Sequence, residues 1–333
     1  MSGLFRLGLF ALSLLLNGGT GFSQQSSPHN SFMPGETWLD VQGEVINAHG
    51  GAVLYSEGRY YWFGEKRGRQ ASEGVNVYSS ADLYNWTNEG LALSQLADTT
   101  SEITKGCVME RPKVIYNAAT KKYVMWFHLE LKGKGYSAAR AGVAVSDKIT
   151  GPYTFVHSFR PNGNMSRDMT LFVDRDGSAY QVYSSRENYD LRICKLSPDF
   201  LTATTEDKML FSNHREAPAL FYHQGKYFMI TSGCTGWNPN KAILHTAASL
   251  WGPWTDMPGN PMKGTGEDLT FGGQSTYILP LAGKKDAFIF IADKWNPRNL
   301  KDSRYLWLPI QFHNGLPLVE WTAQWNLNQF NNQ

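Results

Sequence analysis

One strand-turn-strand pattern occurs five times along the chain, and it constrains the fold more than any other feature. It reads GAVLYSEGRYYWFGE (51–65), PKVIYNAATKKYVMWFH (112–128), MTLFVDRDGSAYQVYSS (169–185), PALFYHQGKYFMITSG (218–233) and STYILPLAGKKDAFIFIAD (275–293). Each copy is an apolar, β-branched and aromatic run, then a turn rich in Gly, Asn or Asp, then a second such run, which is how a hairpin is written. A second hairpin follows each copy, at 75–90, 142–157, 191–207, 242–258 and, in degenerate form, 305–321. In three of these an aromatic closes the turn: Trp86, Tyr153 and Trp254. Two hairpins per unit make a four-stranded antiparallel sheet, and such sheets repeated at a period of about 50 to 60 residues predict an all-β, five-bladed β-propeller whose termini meet to close the ring. A two-sheet sandwich would not explain five matched copies, and no stretch sustains a helical period.

Composition narrows the function classes. The 11 Trp, 16 Tyr and 18 Phe suit β-structure and the flat faces of sugars. A formal charge of +2, without a basic stripe, excludes an electrostatic case for nucleic acid. Cys107, Cys194 and Cys234 have no zinc spacing and are too few for a disulfide framework; buried free thiols are expected. Residues 1–23 read as a signal peptide: Arg6, the short apolar stretch Leu7 to Leu16, then small residues up to a cut after Ser23. That stretch is too short to span a bilayer. Residues 24–333 are then one exported propeller domain, periplasmic or extracellular, expected to be monomeric and without a membrane partner.

In a propeller the innermost strand of each blade faces a central funnel. Glu110, Asp168, Glu216 and Gln274 each stand one or two residues before the inner strand of blades two to five, whereas blade one begins with Asn47 and His49. Matched repeat positions lie on one ring, so three carboxyls and an amide should share an axis. Clustered carboxyls raise one another's pKa, which suits one of them to general acid work.

These blade-start strings, INAHGGAVLYSEGRYYWFGE, ERPKVIYN, REAPALFY and GGQSTYILPL, resemble glycoside hydrolase family 43, and more closely its exo-β-1,3-galactanase branch. The likeness runs over roughly residues 36–325. It implies an inverting hydrolase that releases galactose from β-1,3-galactan or arabinogalactan, with no cofactor required. A structural Ca²⁺ in the channel is possible, but no ligand loop indicates one. The family's modulating Asp and acid Glu correspond to Asp168 and Glu216. Its base Asp on blade one is replaced by Asn47-Ala48-His49, a departure shared by the galactanase branch, where Gln274 stands in the base's place and Glu110 is the additional blade-two acid. On this reading Gln274 holds the water and Glu110 grips substrate, with Glu110 as proton acceptor the alternative. An inverting site should separate Glu216 from the water-holding group by about 6.5–9.5 Å. For the sugar subsite the resemblance points to Glu65, Tyr136 and Thr235. Trp237 could stack on a sugar face or pack inside, and His49 could orient a carboxyl or sit as a core histidine. The competing readings are an α-L-arabinofuranosidase or β-xylosidase of the same family, and a non-catalytic sugar-binding propeller.

Overall fold

In the computed structural model, residues 29–68 and 71–331 are described, together with Met1. The signal-peptide expectation falls on residues outside that range. Blade one is β1 (His49–Ser56), β2 (Arg59–Arg67), β3 (Ser72–Ser80) and β4 (Thr87–Ser94). Blade two is β5 (Val108–Asn117), β6 (Lys122–Glu130), β7 (Arg140–Ser146) and β8 (Thr154–Phe159). Blade three is β9 (Met169–Val173), β10 (Ala179–Ser185), β11 (Asp190–Leu196) and β12 (Ala203–Ser212). Blade four is β13 (Arg215–His223), β14 (Lys226–Gly233), β15 (Ile243–Ala247) and the short β16 (Thr255–Asp256). Blade five contains β18 (Gln274–Pro280), β19 (Phe288–Lys294), β20 (Arg304–His313) and β21 (Leu316–Glu320), with the two-residue β17 (Met262–Lys263) added in parallel to β21. Among the described residues the helical pieces are short 3₁₀ turns. The five-bladed propeller is therefore the observed architecture.

The inner strands β1, β5, β9, β13 and β18 each touch the next around a closed ring. Apolar clusters fill the gaps between neighbouring blades, for example Phe63, Val75, Met125 and Phe127 between blades one and two. A repeated latch reinforces this packing. The tyrosine opening the second strand of a blade reaches the blade before it: the Tyr123 hydroxyl lies 3.4 Å from Ser56 Oγ, and Tyr227 donates to Asp174 at 2.7 Å. The Tyr60 hydroxyl accepts from the Ala282 amide of blade five. The aromatics that follow the outer turns also act locally. The Trp86 indole donates to Leu83 O, Tyr153 to Ile149 O, and Trp254 to Leu250 O.

Ring closure is aromatic. The Phe32 amide donates to Trp325 O at 2.8 Å, and their rings stack at 4.4 Å. Trp38, Trp62, Tyr305 and Trp307 continue this contact into blades one and five. Each well-placed aromatic pair adds roughly 0.5–1.5 kcal/mol beyond its burial.

The inner strands differ from expectation in one respect that shapes the site. Glu110 and Glu216 lie inside β5 and β13, not ahead of them, and each precedes a break in register. The residue after each acid has positive φ, 55° at Arg111 and 53° at Ala217, and Gly50 after His49 repeats the geometry at 59°. A bulge of this kind turns the preceding side chain out of the pleat and bends the strand. At Gly50 a Cβ would lie 2.2 Å from Glu65 Oε1, so no larger residue fits without displacement.

Candidate active site

The bulges and strand ends converge on a cavity of about 310 Å³. Its wall includes Glu110, Tyr136, Asp168, Glu216, Trp237 and Gln274, six residues the sequence singled out. The wall also contains Arg111, His128, Arg167, Asn188 and Cys234, which it did not.

Glu216 sits on β13, 7% exposed. One oxygen accepts from Gln274 Nε2 and the other from Asn188 Nδ2, both at 2.8 Å. Burial, and then the charge of Asp168, push its pKa up to about 8. A carboxyl raised this far keeps its proton near neutral pH, the state that general acid chemistry requires.

Asp168, just ahead of β9, pairs with Arg111 Nη2 at 2.8 Å. The same guanidinium reaches Gln274 Oε1, and its other arm reaches Ser275 O. Gln274 Oε1 also accepts from the Trp295 indole at 2.9 Å. Two donors that cannot accept fix the orientation of the amide: oxygen toward Arg111 and Trp295, nitrogen toward Glu216. The gap expected between Glu216 and Gln274 is absent here. The two groups are in direct contact, because the amide bridges Arg111 and Glu216, its oxygen accepting from the one and its nitrogen donating to the other.

Glu110 has a different environment. Oε1 accepts from Arg67 at 2.7 Å and from the Tyr136 hydroxyl at 2.8 Å, and Oε2 lies 3.2 Å from His128 Nδ1. Burial works to raise its pKa, but Arg67 and His128 more than offset this and hold it well below the usual carboxylate range. Glu110 is ionised at any working pH. The Tyr136 phenol is pushed well above its ordinary value by burial and by Glu110, so it acts as a donor only.

Glu65 lies in β2, 1% exposed and off the cavity wall. It accepts from the Arg111 amide and pairs with Arg67. Burial raises its pKa to about 7, with Arg67 acting against it. In this arrangement Glu65 braces the two arginines that hold Glu110 and Asp168. Trp237 lines the cavity with its ring edge-on to Trp295 at 4.9 Å and Arg67 5.3 Å from its centroid. Thr235 is exposed and off the wall; its hydroxyl donates to Asn238 O and accepts from Asn240 within its own loop. His49 is fully buried, stacked on Tyr305 at 5.0 Å with Nδ1 3.3 Å from Asp293. It is placed as a core histidine, away from the cavity. The blade-one amide, Asn47, is spent on the backbone of Arg67, donating to its O and accepting from its N.

The thiol expectation needs one correction. Cys107 and Cys194 are buried, but Cys234 is exposed on the cavity wall, 3.6 Å from Asn188 O. Partial burial of its sulfur and the nearby Glu216 push its pKa up to about 12, so it carries its proton at neutral pH. Among the described residues no group of three or more His, Cys, Asp or Glu is arranged to hold a metal ion. A second cavity of about 310 Å³, at the N-terminal seam, is lined by Phe32, Trp38, Tyr84 and Trp86, with Glu36 its one carboxylate.

A buried acid beside a second carboxylate, in a small cavity with an ionised carboxylate on another wall, can protonate a leaving oxygen while a water is held nearby. The chain is similar to several proteins of known structure. A family 43 β-1,3-galactosidase solved with galactodeoxynojirimycin is 49% identical, covering 89% of this chain and all of that one, with a TM-score of 0.87. The exo-β-1,3-galactanase of Phanerochaete chrysosporium, solved with β-1,3-galactotriose, is 35% identical over 90% of this chain and 69% of its own, with a TM-score of 0.83. A curated relative, the putative beta-xylosidase of Escherichia coli (strain K12), is 23% identical over 218 residues, and the chain spans only 40% of its length. The profile described as glycosyl hydrolases family 43 matches residues 48–304, nearly the whole ring of blades, and the chain belongs to that family of glycoside hydrolases.

Proposed function

We propose that this chain removes terminal galactose from β-1,3-galactan, the backbone of arabinogalactan, with inversion at the anomeric carbon. The observation that carries this reading is Glu216: a buried acid with a pKa near 8, set among Asp168, Asn188 and Gln274 on the wall of a small cavity. The likeness to β-1,3-galactosidases supplies the sugar. At about 310 Å³ the cavity is at the small end of ligand pockets (~300–1,000 Å³), which suits the end of a chain better than its interior.

Glu216 donates its proton to the departing glycosidic oxygen. Asp168 helps keep that proton on Glu216 until it is needed, and Arg111 holds Asp168 in place. Gln274 positions groups and does not take a proton. Both lone pairs of its oxygen are engaged, and an imidic acid tautomer would aim an O–H at the N–H donors of Arg111 and Trp295. Glu110 is the carboxylate that can accept the water's proton. Its depressed pKa is no obstacle: the transition state is oxocarbenium-like, so the attacking water becomes strongly acidic as its bond forms. Trp237 offers an apolar surface to the sugar, and Tyr136 aims the Glu110 carboxylate. Glu65 acts through the two arginines. Residues 1–23 direct export to the periplasm or beyond, and the mature enzyme works as a monomer.

The test is incubation of the mature protein with β-1,3-galactan and with aryl arabinofuranoside and xyloside, products separated by chromatography, with a Glu216→Gln control. Galactose from galactan alone, lost in the control, is the expected result. Arabinose or xylose release would move the chain to another branch of the family. Binding of galactan without any release would make it a sugar-binding propeller.

A further inference from the structure

His128 lies on β6 directly across from Glu110 on β5, with its side chain 2% exposed. Its Nδ1 is 3.2 Å from Glu110 Oε2 and its Nε2 is 2.9 Å from Glu130 Oε1. An ionised carboxylate can only accept. Glu130, fully buried, spends its other oxygen on the amides of Ala138 and Ala139, at 2.9 and 3.0 Å. Glu110 spends its other oxygen on Arg67 and Tyr136. A neutral imidazole has one N–H and one lone pair, so either tautomer would set a lone pair against a carboxylate oxygen. Between two ionised carboxylates only the doubly protonated ring turns an N–H toward each, with an ion-pair contact at Nδ1 and a hydrogen bond at Nε2.

The contacts form a closed circuit. From Glu110 it passes through His128 to Glu130, and from Glu130 to the amides that end the loop 131–139. That loop carries Tyr136, whose hydroxyl returns to Glu110. We propose that His128 is a positioning residue for the hydrolysis: its imidazolium fixes the Glu110 carboxylate and couples it to the loop that presents Tyr136 to the cavity. This rests on the role of Glu110 in the proposed reaction. The groups facing the ring are Glu110 from β5, Glu130 on its own strand and Tyr136 from the loop, its ring 5.8 Å away. Arg67 from β2 stands beyond Glu110, and Arg167, ahead of β9, holds the Tyr136 carbonyl. Burial would lower the histidine's pKa, but the two carboxylates outweigh it and lift it to about 9.

Two measurements test this. The first is ¹⁵N NMR of histidine-labelled wild-type protein, which needs no substrate and no variant. Of the eight histidines, one ring should remain doubly protonated at pH 8. If every ring is neutral there, the proposal fails. The second is the pH profile of kcat/KM on β-1,3-galactan. Wild type loses one proton-dependent function as Glu216 ionises and a second as His128 does, so the alkaline limb should steepen from slope −1 to −2 above about pH 9. His128→Gln should keep slope −1 throughout and lower kcat/KM about tenfold at pH 7. An alkaline limb of unchanged shape in a folded His128→Gln variant would overturn the proposal. Should wild type release no galactose, the reaction assigned above fails while the NMR result still decides the state of His128.

Discussion

Gln274 donates an amide hydrogen to Glu216 Oε1 at 2.8 Å while its oxygen is held by Arg111 and Trp295. The acid and the amide therefore form one unit before substrate arrives, and a sugar entering between them must part them. Glu216 then loses a hydrogen-bond donor that favours its ionised form, which leaves it a better holder of its proton at the moment of transfer.

Replacing Gln274 with Glu tests that coupling. The new carboxylate would accept from Arg111 and Trp295 as the amide oxygen does, but would set a negative charge where Glu216 now receives a donor. Like charge raises the pKa of an acid. The alkaline limb of the pH profile should move upward in Gln274→Glu, whereas Gln274→Ala should chiefly lower kcat. A limb unmoved in Gln274→Glu would mean that the two side chains are uncoupled in the working enzyme.

In the proposed reaction Glu216 sets the upper pH limit. Its acid form is the active one, and its pKa is raised to about 8, so activity should be retained at neutral pH and lost as the pH rises through about 8. Glu216→Gln should lower kcat by about 10²–10⁴ on an unactivated glycoside, the usual worth of a general acid. An aryl glycoside with a good leaving group should be affected far less. Equal losses on both substrates would argue that Glu216 does something other than donate a proton.

Arg111 is the most connected cation in the site, bound to Asp168, Gln274 and Ser275 through its side chain. Arg111→Met should strand the Asp168 carboxylate and destabilise the fold by about 3–5 kcal/mol, as breaking a buried pair from one side does. Urea denaturation measures this. A loss below about 1 kcal/mol would show that water replaces the guanidinium at little cost.

Gly50 and Gly58 both have positive φ, 59° and 80°, yet only Gly50 is crowded. Gly58→Ala meets nothing within 4 Å and should cost only the backbone penalty of a left-handed residue, about 1–2 kcal/mol. Gly50→Ala must also displace Glu65, loosening both arginines, and should cost clearly more and reduce activity. Thermal unfolding and activity of the two variants, side by side, check this.

The propeller was legible because each blade is a local event: a hairpin declares itself within about twenty residues, and five of them at a regular spacing leave little choice of architecture. The ring of Glu110, Asp168, Glu216 and Gln274 was legible for the same reason, as matched positions in a repeat. The bulges were not, since Arg111 and Ala217 carry no residue-type signal for positive φ. His128 and Asn188 were missed because they reach the cavity from a second strand or from a loop, and Arg67 because it stands behind the wall at the end of β2; only the packing of blade against blade brings them together. One clue was available. Each acid has an arginine beside it in the chain, in Glu110-Arg111, Arg167-Asp168 and Arg215-Glu216. Yet none of the three guanidinia holds its own neighbour in the chain: Arg111 reaches Asp168, Arg167 reaches Glu187, and Arg215 turns away to Thr231. His49 and Glu65 show the converse limit: a polar residue at a repeat position can serve the wall from behind it.

The central claim is a direct, inverting displacement at a galactose residue. Proton NMR of the first minutes of β-1,3-galactan hydrolysis, recorded faster than mutarotation, reads it most directly. The expected first product is α-galactose, with the β anomer growing in only as mutarotation proceeds. Initial release of β-galactose would mean retention, and would contradict the roles assigned to Glu216, Gln274 and Glu110 together.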